Sequence, residues 1–191
     1  MLLVSPAAAA AQDFGVMESA ETINQGNYKL QAHPLFLFGD GDDEAGVVFG
    51  LGYGFTPNFD LEAKVGLFDG VNFFGADAEL WLAQNQPLDV SVHGGFHIGA
   101  SDFTDSTGID LGFIASAPLT PRLEFYGALD LAFNSFDVDH ELIDDDYTTL
   151  HLVPGIEYAV SDDLDFLAEI GIGLNDDSSN YFTAGVAYYL R

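Results

Sequence analysis

Thr56-Pro57-Asn58-Phe59-Asp60-Leu61 is a tight turn followed by an apolar, an acidic and an apolar residue, and the chain uses this pattern four times. It returns as Asn85-Gln86-Pro87-Leu88-Asp89-Val90, as Thr120-Pro121-Arg122-Leu123-Glu124-Phe125 and as Ser161-Asp162-Asp163-Leu164-Asp165-Phe166. Each copy opens a stretch in which apolar residues alternate with small or polar ones. Successive side chains of a strand point to opposite faces, so alternation sorts the two classes onto two faces. Before the first turn, residues 46–55 put Val47, Phe49, Leu51, Tyr53 and Phe55 on one face and Gly50, Gly52 and Gly54 on the other. After it, residues 59–68 set Leu61, Ala63, Val65 and Leu67 against Asp60, Glu62, Lys64 and Gly66. Repeated hairpins divided in this way predict a closed barrel in lipid, apolar outside and polar inside.

The same phase runs through residues 71–83, 88–100, 107–117, 123–133, 148–160, 164–174 and 181–190, after a less regular first strand near 27–38. The expected fold is all-β: a closed, antiparallel, transmembrane up-and-down barrel of about ten strands, with eight as the alternative count. Each strand is near the roughly 9–11 residues that cross a bilayer at a tilt. An even count brings both termini to one side. The four repeated turns are short and are expected at the periplasmic end. The alternate connections, residues 39–45, 68–71, 101–106, 135–147 and 175–180, vary in length, carry many Asp residues and are expected outside. Pro154, on an outward position within a strand, runs against the pattern.

Composition narrows the partners. Four Lys and Arg face 31 Asp and Glu, a net charge of −27. Nucleic acid is excluded, because neutralising phosphates needs a basic surface. Disorder is excluded by 48% hydrophobic and 14% aromatic content. With no cysteine there is no disulfide framework and no thiolate metal site. Apolar residues leading into Ala7 to Ala11 read as the end of a secretory signal cut after Ala11. The chain then divides into a signal remnant at 1–11, a periplasmic segment at 12–26 and a barrel at 27–191.

The repeated turns, the Gly/aromatic alternation and the closing run Tyr181-Phe182-Thr183-Ala184-Gly185-Val186-Ala187-Tyr188-Tyr189-Leu190-Arg191 resemble the small bacterial outer-membrane β-barrel families. The resemblance covers nearly all of the chain after residue 26. It implies residence in the outer membrane among lipid and lipopolysaccharide, and contact with the barrel-assembly machinery during biogenesis. In those families the last strand carries the assembly signal and usually closes on an aromatic residue; here Leu190 holds that place and Arg191 follows it. Such barrels include pores, adhesins, enzymes and wall anchors, so the resemblance implies architecture rather than activity.

The turns put Asp60, Asp89, Glu124 and Asp165 at the first inward position of four strands, a candidate carboxylate ring at the periplasmic mouth. Rings of like charge select ions of opposite sign; the alternative role for these groups is to cap the turns. Further inside come Glu62, Asp77, Glu79, Asp110, Asp130, Glu157 and Glu169, with Lys64 and Lys29 to pair with them. The inward glycines leave space for water among these groups. Ten strands make a narrow barrel, so the competing reading is a flattened one whose glycines let opposite walls meet.

His33, His93, His97 and His151 also face inward. Imidazole beside carboxylate suits zinc, copper or nickel. His93 and His97 are four apart on a strand, roughly 13 Å, too far to share an ion. Polar lumen histidines are the expected reading. At the outer end, Asp40, Asp42, Asp144, Asp145 and Asp146 are candidates for weak Ca or Mg binding. No other cofactor is expected.

These residues give three readings of function. The first is a narrow diffusion channel with an acidic lumen that prefers cations. The second is a closed structural or adhesive barrel whose acidic outer loops bind divalent cations and lipopolysaccharide. The third resembles the omptin-type surface proteases, through Asp139-His140 beside Asp42-Asp43 alone. No Gly-x-Ser-x-Gly elbow, phosphate loop or His-Glu-x-x-His motif is present, and no enzyme is expected.

Overall fold

The computed structural model describes residues 14–38, 43–84, 87–101, 105–137 and 146–191. Ten antiparallel strands close on themselves: β1 (Tyr28–Phe38), β2 (Glu44–Thr56), β3 (Phe59–Phe68), β4 (Val71–Ala83), β5 (Asp89–Ser101), β6 (Asp105–Thr120), β7 (Leu123–Asp137), β8 (Tyr147–Ser161), β9 (Leu164–Gly173) and β10 (Asn180–Leu190). Each strand pairs with its sequence neighbours, and β1 closes the barrel against β10. Closure leaves no free edge, so every strand has two partners. β1 proves as regular as the others, with Lys29, Gln31, His33, Leu35 and Leu37 buried at alternate positions.

The phase read from the sequence holds. Phe49, Leu51, Phe125 and Ile170 point outward and are 45–51% exposed. The outer surface is a continuous apolar wall of Leu, Ile, Val, Phe and Tyr, as hydrocarbon requires.

The repeated turn has a physical reason. Thr56 pairs with Phe59, Thr120 with Leu123 and Ser161 with Leu164, leaving two-residue connections. Thr56 Oγ1 accepts a bond from the Asn58 N–H at 3.4 Å, Thr120 Oγ1 from the N–H groups of Arg122 and Leu123 at 3.3 and 3.0 Å, and Ser161 Oγ from the Asp163 N–H at 3.4 Å. The hydroxyl that opens the turn caps it, which frees the following acid to face inward. A register shift sits just before each turn, at Gly54/Thr56, Trp81/Ala83, Pro118/Thr120 and Ala159/Ser161. Among the described residues only Met17 has positive φ outside glycine. The three turns at 57–58, 121–122 and 162–163 are therefore not of the primed types, and the bulges supply the extra twist instead.

Pro154 is accommodated by a gap in the ladder. β8 pairs with β9 through Leu152–Ile172 and resumes at Gly155–Glu169. The ring sits where its missing N–H is not called on. Pro34 does the same on β1, between Ala32–Val186 and Leu35–Thr183.

The interior differs from expectation. Residues 14–24, expected in the periplasm, lie inside the barrel. Phe14 packs edge-on against Phe73 near the loop end, with ring centres 6.2 Å apart. The chain descends to the turn end, where Gln25 bridges to Gly54 and the Gly26 N–H donates to the Gly54 carbonyl at 2.8 Å, before rising as β1. Phe14, Val16, Met17 and Ala20 join inward Leu35, Val48, Phe73, Ile114, Tyr126, Leu167 and Tyr181 in one buried apolar cluster. Neither a water-filled lumen nor a flattened barrel describes this core. Residues 1–13, including the predicted signal remnant, lie outside the described residues.

The outward face makes a direct prediction. Leu129, 48% exposed in mid-strand, faces hydrocarbon, so Leu129→Arg should lower folding stability in lipid by about 2–4 kcal/mol. Urea titration of the protein folded into liposomes measures this; an unchanged midpoint would place Leu129 elsewhere.

Candidate functional site

The site is the lumen together with the segment that fills it. Its space comes from glycines. A Cβ at Gly52 would overlap the side chain of Ile23, one at Gly54 the carbonyls of Ile23 and Asn24, and one at Gly75 the ring of Phe14. Of the inward glycines read as water space, these three are the footprint of residues 14–24, while Gly50, Gly112, Gly155 and Gly171 make room for Gln31, His93, Tyr126 and Tyr181 of the wall. A remaining cavity of about 20 Å³ is bounded by Phe14, Lys64, Asp77 and Asp130, room for about one water molecule.

The wall holds the segment through its acids. Glu169 accepts the N–H groups of Val16 and Met17, both at 2.8 Å. Asp60 accepts the Ile23 N–H at 2.6 Å, and Ser116 Oγ accepts that of Ala20 at 3.2 Å. An extended segment without helix or sheet partners carries unpaired amide donors, and buried donors must be matched. A carboxylate matches them with charge-assisted bonds, stronger than neutral ones.

Two lysines balance the centre. Lys29 lies 3.2 Å from Glu18 and 2.6 Å from Glu62. Lys64 lies 3.1 Å from Asp77 and 3.9 Å from Glu62. Gln31 donates a further bond to Glu62. Glu18 belongs to the segment, so the network ties segment and wall together.

The four ring residues all face inward but do not line an open mouth. They gather around residues 21–23. Asp60 holds Ile23, as above. Asp89 and Glu124 converge with Glu21 so that one oxygen of each lies within 4.8 Å of the others. Asp165, half-buried, faces the same end. Burial, and then the charges of Glu124, Asp89 and Asp165, raise the Glu21 carboxyl above its ordinary value of 4.5.

The histidines are separate. His33 Nδ1 meets Thr183 Oγ1 at 2.8 Å. His93 stands between Glu18 at 3.6 Å and Asp130 at 3.2 Å. His97 bridges Asp110 at 2.8 Å and Asn134 at 2.9 Å. His151 Nε2 reaches the Ser179 carbonyl at 2.6 Å. Glu79 pairs across the strands with His93, yet the imidazole turns to Glu18 and Asp130. Among the described residues the one three-ligand cluster is Glu21, Asp89 and Glu124, which contains no histidine. Glu157 is half-buried on β8, near the turn end.

Asp40, Asp42, Asp144 and Asp145 of the outer Ca or Mg candidates lie outside the described residues, as do Asp139 and His140; Asp146 is exposed. Glu18 and Glu21 were missed from the sequence as lumen residues. The available signal was Phe14, Val16, Met17, Ala20 and Ile23, apolar residues ahead of the barrel with no strand to belong to.

The description "Outer membrane protein beta-barrel domain" matches residues 1–189. The chain belongs to that family. It is an integral protein of the bacterial outer membrane. No curated protein matches it in sequence. Among solved structures, it is similar to the COG4313 outer membrane channel from Pseudomonas putida F1, with a TM-score of 0.63 at 9% identity over 90% of this chain and 98% of that one. It is also similar to the translocator domain of the autotransporter NalP from Neisseria meningitidis, with a TM-score of 0.50 at 13% identity over 85% of this chain and 87% of that one. At these identities the likeness is one of fold.

Two outcomes follow from the site. Lys29→Met leaves Glu18 and Glu62 buried without their shared cation, and should cost about 3–5 kcal/mol in the same liposome titration. A loss below 1 kcal/mol would show that the pair is not buried. The raised Glu21 carboxyl is protonated more readily with the segment seated than free. Seating therefore gains stability below pH 4.5, and the gain is lost as pH rises through the raised value. Glu21→Gln should remove that component from the pH dependence of stability; an unaltered profile would contradict it.

Proposed function

We propose that the protein is a cation-preferring outer-membrane conduit, closed in the state described here by its own residues 14–24. The observation that carries this reading is the union of an occluding segment with a wall in which acids outnumber the two lysines. Asp60, Asp89, Glu124 and Asp165 flank the segment at the turn end, and Glu62, Asp77, Asp110, Asp130 and Glu169 flank it higher up. Among the described residues the inward lysines are Lys29 and Lys64, both already paired with acids. With the segment displaced, the glycine-lined channel would present carboxylates to an incoming ion, and a passage lined by one sign of charge favours the other. The fold is shared with a protein described as an outer membrane channel, which agrees with this reading.

Exposed acids at the loop end, Asp43, Asp105, Asp146, Asp176 and Asp177, support a second reading. The barrel stays shut, and these carboxylates share divalent cations with lipopolysaccharide phosphates.

Ala20 is fully buried, so Ala20→Trp cannot be housed and should drive the segment out. In planar bilayers the parent should be almost silent. The Ala20→Trp protein should conduct, with a reversal potential in a KCl gradient of the sign set by K⁺. Adding Asp89→Asn and Glu124→Gln should bring that potential toward zero. Anion preference, or silence despite a displaced segment, would discard the conduit and leave the adhesive reading. That second reading predicts that chelation loosens the protein from lipopolysaccharide while conductance stays at zero.

A further inference from the structure

We propose that Glu169 is the latch of the lumen: the grip of its carboxylate on the Val16 and Met17 amides keeps residues 14–24 seated, and loosening that grip opens the barrel. The proposal rests on the reading of the lumen as a conduit closed by this segment.

Glu169 lies on β9, opposite Gly155 of β8 and Thr183 of β10, with its side chain buried in the lumen. An ionised carboxylate is a pure acceptor with about four lone-pair positions. Here four donors reach it. Two come from the segment, the N–H of Val16 on Oε1 and that of Met17 on Oε2, both at 2.8 Å. Two come from the wall: the hydroxyl of Tyr126 on Oε2 at 2.6 Å and that of Tyr181 on Oε1 at 3.0 Å. Tyr126 and Tyr181 are buried on β7 and β10. They aim the carboxylate from either side and would stay with it if the segment left. The wall half of the contact is built in, and the segment half is detachable.

The segment half is conformationally loaded. Consecutive amides that converge on one anion form a nest. Gly15 has φ +68° and Met17 φ +50°. Methionine rarely adopts this region, and such a conformation persists where the surroundings impose it. A Cβ at Gly15 would also stand 2.8 Å from Glu169 Oε1, so glycine is required there for backbone and space alike. Detachment relieves the Met17 backbone, a bias toward release that the carboxylate opposes.

The other anchors do not replace this one. Ala20 is held by one long bond to a neutral hydroxyl, at 3.2 Å. Asp60 holds Ile23 at 2.6 Å, but Ile23 lies at the turn end, three residues from Gly26 (φ +84°), whose Cβ position is open space. The segment can swing about that point with the Ile23 contact intact. Lys29 keeps Glu62 at 2.6 Å if Glu18 departs. Phe14 on Phe73 and Glu18 beside Lys29 and His93 hold the segment as well, but Glu169 is the group that takes two backbone amides at its far end.

The chain has no cysteine, so Ser19→Cys, at a buried position of the segment, supplies a lone thiol. In proteoliposomes a membrane-impermeant maleimide should label this thiol slowly in the Ser19→Cys protein. Adding Glu169→Gln turns one of the two acceptor oxygens into an amide donor, so that one of the two segment N–H groups loses its acceptor. Labelling should then rise at least tenfold, with more frequent openings in planar bilayers. Tyr126→Phe removes one wall donor but leaves the nest, and should raise labelling only severalfold. Heat-dependent gel migration reports that each barrel is folded. A folded Glu169→Gln protein labelled at the parental rate overturns the latch. Should that variant fail to fold, Gly15→Ala, which keeps Glu169 and both tyrosines but crowds Oε1 and strains the segment backbone, must raise labelling or the latch falls. Conductance by Ala20→Trp with parental labelling in Glu169→Gln overturns the latch alone. Faster labelling without any conductance upholds the grip of Glu169 on the segment and overturns both its role in opening and the conduit.

Discussion

A narrow barrel that turns carboxylates inward must find donors for them, and this protein finds them in the main chain of its own N-terminal segment. Buried carboxylates without partners would be untenable, as would buried amides. Each need answers the other. Glu169 and Asp60 receive backbone N–H groups of residues 16, 17 and 23, while Lys29 and Lys64 settle the charges between. Gly52 and Gly54 of β2 and Gly75 of β4 give the segment its place. Taking the segment away would strand both sets of polar groups.

The outer wall obeys a separate requirement, and the two meet only through the period of the strand. Leu51 belongs to lipid and Gly52 to the segment; Leu61 belongs to lipid and Glu62 to Lys29. One residue of slip would exchange the two sets. The four hydroxyl-capped or bulged turns fix the register against this, which explains their recurrence at every hairpin of the turn end.

The barrel was legible because its determinants are local. Alternation in residues 46–55 and 59–68 gave phase and hence outward and inward faces, and the recurring turn gave the hairpins and the even strand count. Asp60, Asp89, Glu124 and Asp165 could be placed inward by counting from the turn. The contents of the lumen were not legible in the same way. Val16 and Met17 meet Glu169 across 153 and 152 residues, and no spacing along the chain encodes such a contact. The inward glycines were rightly placed but wrongly filled, because a missing side chain does not say what takes its space. Tyr126 and Tyr181 share the inward phase with polar residues, and their role depends on a glutamate from a third strand. Residues 14–24 have no strand period of their own, since the segment satisfies its backbone through side chains rather than a ladder.

The partners of the segment also impose an order on assembly. The segment is the first described part of the chain, yet Glu169 stands on the ninth strand and Tyr181 on the tenth. Its complete receptor therefore does not exist until the C-terminal hairpin has joined the sheet and met β1. Threading of the interior is a late event, and a nascent barrel that is still open at its β1–β10 seam must carry its acids wet.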